Sequence, residues 1–348
     1  MTGLRVAFRP ARRERPTLLG MARSHLTLAA LATSAVAELD LVATAEFGSR
    51  VDNEFDSALL TGRDGRHWII RVPRTQEAEA AQSADLVALR AISTGVRTRL
   101  PFAVSSFVGQ TPVSGTRAVV YEFVYGTKVA LSQVDDALAA SIGTSIAALH
   151  ALPTSFIADA GLPVLGAIES LRSVVSIIDR AAATGLVPAP LLSRWEAATE
   201  DSKLWQFQPT VINNALAADS FLTADSTVTG ILNWQELRVG DPARDLAWLL
   251  ADPIVAEPAF DSYISARGGS DRQITQRATL YSELEVAKWL LHGTEQRDTD
   301  IVDDAVTMLD GLVDDVRNDV MNPLGAQTMP TMAIDEVQAY LDRAERAV

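Results

Sequence analysis

The sequence predicts an α+β protein in two lobes, a small lobe built on antiparallel strands and a larger, mainly helical one. Three observations carry this. Residues 39–125 run strands, helix, strands; the residues after Gly126 place apolar side chains at helical spacing; and one β-rich stretch, TVINNALAADSFLTADSTVTGILNW, interrupts the helical half. A chain of 348 residues is long enough for each lobe to bury a core of its own.

The elements follow in order. Residues 1–20 hold five Arg and one Glu without sustained periodicity, and read as a disordered leader or as the product of a start codon placed upstream of Met21. In the small-residue run LTLAALATSAVA, Leu26, Ala29, Ala30 and Ala37 fall near one stripe, which predicts a helix lying against the lobe that follows. LDLVATAEFG, DSALL and HWIIRVP read as three antiparallel strands, with GRDG as the turn between the last two. A helix is expected over 77–92 from Ala80, Ala84, Val87 and Ala91. FAVSSFVG and RAVVYEFV add two strands joined by QTPVSG. The small lobe is thereby assigned to 21–125 and the helical lobe to 126–322.

In the helical lobe, Ser132 with Asp135 resembles a capping box, and Val134, Leu138, Ile142 and Ile146 continue at i+4 steps to His150. Ile168, Leu171, Val175 and Ile178 predict the buried face of the next helix. Ile301, Ala305, Leu309, Leu312 and Val316 form an apolar stripe on a helix whose other face is rich in Asp. Residues 323–348 read as a linker and a terminal helix over 334–347.

Composition narrows the function. With 44 acids against 30 bases the formal charge is −14, which works against nucleic-acid binding because that depends on neutralising phosphates with Lys and Arg. Cysteine is absent, so disulfides, thiolate nucleophiles and Cys-ligated metals are excluded. No run reaches the roughly 18 apolar residues of a membrane span, so no membrane partner is expected; a cytoplasmic location is expected, with secretion as the alternative because Arg23 and LTLAALATSAVA resemble a signal peptide. His25 and His292 lack ligand-spaced partners for zinc. The bases are almost all Arg, and no Lys precedes Lys128. Oligomeric state is open.

The segment GILNWQELRVGDPARDLAWLLAD resembles the one that follows the catalytic loop in aminoglycoside and macrolide phosphotransferases, where the pattern is G-V-I-D-W followed by G-D-P-x-x-D-L-A. TVINNALAADSFL stands in the place of that family's H-G-D-L-x-x-x-N-x-L loop. HWIIRVPR resembles the third strand of its small lobe, and YEFVYG its hinge. The resemblance implies a protein-kinase-like fold, ATP or GTP as cofactor with Mg²⁺, and a small hydroxylated molecule as substrate.

Four polar positions depart from the pattern. Asn213 stands for the family's His, Ala215 for the Asp that accepts the substrate proton, Ser220 for the Asn that holds one metal, and Asn233 for the Asp that holds the metals between the phosphates. Losing a general base costs about 10²–10⁴ in rate, roughly 3–5 kcal/mol of barrier. A carboxamide at 233 brings no charge to a divalent ion. Asp219, one residue before Ser220, is the nearest substitute base or ligand.

Further roles follow from the same resemblance. Arg71 takes the position of the phosphate-binding Lys, with Asp85 and then Glu79 as its acid partner, unless it is a solvated strand-end charge. Phe47, Gly48 and Ser49 form the nearest equivalent of a nucleotide-covering turn. Tyr121, Glu122, Phe123 and Val124 would meet the base through backbone groups. Asp241 and Asp245 read as scaffold carboxylates tying the helix start to the catalytic-loop backbone, and His150 as a hydrogen-bonded structural residue. Three functional readings result. One is a pseudo-phosphotransferase that keeps a nucleotide or small-molecule pocket with little turnover. Another is an active O-phosphotransferase using Arg71, a metal on Asn233 and Ser220, and Asp219 as base. The last is a module that sequesters a cationic ligand in the acidic large lobe.

Overall fold

The structure, a computed structural model, describes residues 23–48, 54–269, 271–318 and 324. The leader over 1–20, Ser49 and the expected helix over 334–347 lie outside these residues.

The small lobe opens with helix α1 (His25–Ala35), strands β1 (Leu41–Glu46), β2 (Phe55–Gly62) and β3 (His67–Pro73), and helix α2 (Gln76–Ala91). A short helix α3 (Thr94–Arg97) then leads to β4 (Ala103–Val104), β5 (Phe107–Val113) and β6 (Thr116–Glu122). Five strands form one antiparallel sheet in the order β1-β2-β3-β6-β5. Strand alternation sorts its two faces. Ala58, Leu60, Trp68, Ile70, Val72, Ala118 and Val120 are buried on one side under Leu28 and Ala32 of α1. Leu26 is 66% exposed, so α1 buries a stripe different from the one expected. Its run of Ala, Leu and Thr gives little contrast between faces, and packing on the sheet decides the rotation.

FAVSSFVG is two strands and not one. β4 leaves the small-lobe sheet and pairs in parallel with a strand of the large lobe, Ala103 beside Gly230 and Val104 beside Ile231. The Ser105-Ser106 pair marks the break.

The large lobe contains α4 (Asp136–His150), α5 (Ser155–Asp159), α6 (Ala167–Ala183), α7 (Ala189–Glu200), β7 (Thr210–Ile212), β8 (Phe221–Ala224), β9 (Thr227–Ile231) and β10 (Arg238–Gly240). It closes with α8 (Pro253–Arg267), α9 (Ile274–Gln296) and α10 (Thr299–Asn318). Asp135 caps α4 by accepting from Leu138 N–H at 2.7 Å, while Ser132 lies in a separate 3-10 turn, which corrects the expected capping box. In α6 the buried residues are Ser170, Val174, Ile178 and Ala181; Ile168 is 63% exposed. The predicted face is therefore rotated, because the core accepts small residues where apolarity alone favoured Ile168 and Val175. In α10, Ile301, Ala305 and Leu309 are buried as expected, joined by Val313. One core runs from Leu86 and Leu89 of α2 through Tyr121 into the large lobe.

Candidate functional site

β7 pairs with β10, Val211 opposite Val239, and delivers the chain into the loop that begins at Asn213. The loop is held by Asp245, which ends a 3-10 turn over Pro242–Asp245. Asn213 N–H donates to Asp245 Oδ2 at 2.8 Å and Asn214 N–H to Oδ1 at 2.6 Å. Asn214 has φ +66°, a left-handed conformation that Asn tolerates better than most residues. His150 Nε2 donates to Asp245 Oδ2 at 3.2 Å, and its Nδ1 meets the Tyr263 hydroxyl at 2.9 Å. The scaffold reading of Asp245 and the structural reading of His150 agree with this geometry.

Asp241 acts in a different place from the one expected. Its Oδ1 accepts from Ala243 N–H at 3.0 Å, and its Oδ2 accepts from Arg277 Nε at 2.8 Å and Tyr281 Oη at 3.0 Å. It therefore ties the turn to α9 and not to the loop backbone. Arg277 is fully buried and also forks onto Asp271 at 3.1 and 2.5 Å. Burial works against its charge, but the two carboxylates outweigh that and hold its pKa above the ordinary value.

Asn213 clips two loops together. Its Nδ2 donates to the Asn233 carbonyl at 3.0 Å, and its Oδ1 accepts from Ala215 N–H at 3.1 Å. Asn233 sits at φ +63°. Ala215 is partly exposed and offers no side-chain acceptor. Ser220 is fully buried, its Oγ accepting from Ala217 N–H at 3.2 Å, so it belongs to the wall of the loop. Asp219 points outward, its side chain 67% exposed, in a 3.7 Å ion pair with Lys128. Asn213, Ala215 and Asn233 thus come together; the Ser220 carbonyl accepts from Leu232 N–H at 2.9 Å beside Asn233 with its Oγ turned to Ala217, and Asp219 pairs outward with Lys128. The donor set does not fit a divalent ion held as the sequence pattern implies. Asn233 brings no charge, Ser220 offers only a neutral hydroxyl that already accepts from Ala217 N–H, and among the described residues no three His, Asp or Glu side chains converge on a metal position.

Across the cleft, Arg71 lies on the face of β3 turned toward α2, and its guanidinium stacks on the Phe55 ring at 3.9 Å. Asp85 on α2 does not pair with it directly. Asp85 Oδ1 instead accepts from Trp234 N–H at 3.0 Å, a bond between the lobes. Burial pushes the Asp85 carboxyl above the ordinary carboxylate range, and the Trp234 N–H and the nearby Arg71 charge pull it back. Glu79 forms no ion pair with Arg71 either. The expected Arg71–Asp85 contact is therefore replaced by attraction through space, because the Trp234 amide, which would otherwise be left without an acceptor, takes the carboxylate.

The hinge is partly committed to the protein itself. Glu122 N–H donates to Ser106 O at 2.9 Å, the Glu122 carbonyl accepts from Ser105 Oγ at 2.9 Å, and Phe123 N–H donates to His67 O at 3.1 Å. Among the described residues the Phe123 carbonyl and the Val124 N–H remain unpaired. Tyr121 is buried, and burial followed by the Asp85 charge holds its hydroxyl well above the ordinary tyrosine range. Phe47, next to Gly48, stands edge-on to Phe123 at 6.0 Å.

Sequence reasoning missed Trp234, Phe55 and Lys128 in this region. The motif identified Trp234 only as part of a pattern, and nothing in the sequence pairs a backbone amide with Asp85 across 149 residues. The Asn213-Asn214 pair did carry a usable signal, since adjacent Asn residues suit left-handed turns.

Comparison with known proteins places this geometry in context. The family model described as the phosphotransferase enzyme family matches residues 48–281. An uncharacterized protein of Bacillus subtilis, YcbJ, is 23% identical over 203 residues, 55% of this chain and 65% of that protein, so the match spans less than two thirds of the relative's length. Among solved structures, macrolide 2'-phosphotransferase MphH from Brachybacterium faecium is similar with a TM-score of 0.65 and 21% identity, over 82% of this chain and 98% of that one. The GDP and kanamycin complex of APH(2")-IIIa is similar with a TM-score of 0.64 and 20% identity, over 84% of this chain and 99% of that one. These likenesses show the two-lobed, kinase-like fold. With the family model covering strands β2 to β6, the hinge, the loop at Asn213 and the Asp241–Asp245 turn, the chain belongs to the phosphotransferase enzyme family.

Proposed function

We propose that this chain is a pseudo-phosphotransferase that keeps a nucleotide cleft and carries out little or no phosphoryl transfer. One observation carries the reading: Asp245 still holds the loop backbone at Asn213 and Asn214, while the side chains presented on that loop include neither a base at 215 nor a charged metal ligand at 233. The scaffold is maintained and the reacting groups are not. Phosphoryl transfer depends on positioning and on neutralising charge, so a site with the first and without the second binds better than it turns over.

The cleft groups support ATP or GTP as the ligand. Arg71 supplies a guanidinium suited to phosphate oxygens, and the Phe123 carbonyl and Val124 N–H supply one acceptor and one donor for the edge of a base. Phe47 and Gly48 would lie over it. With no fitting metal position, binding that does not require Mg²⁺ follows. The substrate pocket would take a small hydroxylated molecule, and the protein would act in the cytoplasm.

Calorimetric titration with ATP and with GTP, each in Mg²⁺ and in EDTA, tests the reading. Binding of similar strength in both conditions, with no phosphate transferred to a panel of aminoglycosides and macrolides, is expected. Mg²⁺-dependent transfer that Asn233→Ala abolishes would instead establish the active reading, in which Asp219 leaves Lys128 to serve as base.

A further inference from the structure

A cavity of about 150 Å³ lies between the start of β7 and the end of α8. None of Arg71, Asp85, Ala215, Ser220, Asn233 or the hinge lines it, so its occupancy is a question separate from the nucleotide cleft. Phe207, Tyr263 and Ile264 give it apolar and aromatic surface, and Arg267 and Asp271 bring one charge of each sign.

The two charges differ in how far they are satisfied. Among the described residues Arg267 has no ion pair. Asp271 is gripped by Arg277 through both oxygens, at 3.1 and 2.5 Å, and its Oδ1 also accepts from Gln273 N–H at 3.2 Å, yet its side chain stays 20% exposed. A carboxylate has about four acceptor sites, so with three taken one site of Asp271, on Oδ2, remains for another donor. Arg267 and Asp271 are not paired with each other.

This combination selects the ligand. A wholly apolar occupant would strip water from both charges without replacing it. A simple anion would satisfy Arg267 and face Asp271, and a simple cation would do the reverse. A space of this volume takes a molecule about the size of benzene. We propose that the cavity binds a small zwitterion, an α-amino acid with a short side chain, its carboxylate on Arg267, its ammonium on Asp271 and its carbon skeleton between Phe207 and Tyr263. The Tyr263 hydroxyl bonds His150 Nδ1 at 2.9 Å, so an occupant against the tyrosine ring is felt at His150.

The full-length chain, titrated with glycine, L-alanine and L-serine by calorimetry and by NMR of its four histidines, tests this. Binding of at least one amino acid is expected, with acetate and ethylammonium each at least tenfold weaker, and with the His150 ring signals moving while those of His25, His67 and His292 stay in place. Arg267 lies in the last turn of α8, where its removal leaves the core intact. Arg267→Met should weaken binding at least tenfold and Arg267→Lys should restore most of it, with the melting temperature of each variant confirming the fold. No heat and no His150 shift with any amino acid, acetate binding as tightly as the amino acids, or full affinity in Arg267→Met would each overturn the assignment.

Discussion

Asp85 of the small lobe and Trp234 of the large lobe are joined by a 3.0 Å hydrogen bond from the Trp234 amide to the Asp85 carboxylate. The bond fixes α2 against the loop that carries Asn233 and leaves Arg71 free of a direct acid partner. Asp85→Ala should cost about 1–3 kcal/mol by leaving that amide without an acceptor. Urea unfolding monitored by tryptophan fluorescence reads this. Asp85→Asn keeps an acceptor and should cost less.

The same residue gives a pH signature. Burial raises the Asp85 carboxyl above its ordinary value of 3.8, so the folded chain binds this proton more tightly than the unfolded chain. Its contribution is then fully present below 3.8 and is lost as pH rises through the higher folded value. Asp85→Asn cannot lose a proton. The stability of the native chain relative to that variant should fall as pH rises just above 3.8 and level off beyond the folded value. A difference that grows with pH would mean that the Trp234 amide and Arg71 outweigh burial.

Arg71 is the one Arg or Lys on β3, and the proposed nucleotide cleft relies on it for phosphate contact. Arg71→Met should weaken nucleotide binding at least tenfold, about 1.4 kcal/mol, and Arg71→Lys should recover part of it. Equal affinity in all three forms, measured calorimetrically in EDTA, would remove Arg71 from the site.

Asp245 accepts from two backbone amides and from His150 inside the core. Asp245→Ala leaves these donors unpaired and should destabilise the fold by at least about 3 kcal/mol. A lowered midpoint in denaturant and faster hydrogen exchange at Asn213 and Asn214 are the expected readouts.

Much of this arrangement was legible in the sequence. The alternation in HWIIRVP sets Trp68, Ile70 and Val72 against α1 and leaves Arg71 on the opposite face, because period-two geometry follows from the backbone. The motif residues Asp241 and Asp245 announced a scaffold by type and spacing. What stayed hidden depended on tertiary choice. The rotations of α1 and α6 turn on packing among small residues, where hydrophobicity distinguishes faces poorly. Asp85 was a fair candidate for Arg71 by charge, yet a backbone amide won it, and amides are the same at every residue. Asp241 was expected at the loop, but the buried Arg277, far along the chain, claimed it.

That buried pair gives another test. Arg277→Leu leaves Asp241 buried without its cation and should cost about 3–5 kcal/mol, whereas adding Asp241→Asn should return part of the loss. Additive costs in the double variant would show that the two residues do not act as a pair.

The proposed pseudo-phosphotransferase keeps the scaffold for phosphoryl transfer without its reacting groups. Its most direct test compares the native chain with the paired reversion Ala215→Asp and Asn233→Asp in one assay of phosphate transfer from ATP and GTP, with Mg²⁺, to aminoglycosides and macrolides. The native chain should give no transfer above the background rate, and the double revertant should gain Mg²⁺-dependent transfer. Turnover by the native chain that matches or exceeds that of the revertant would contradict the account.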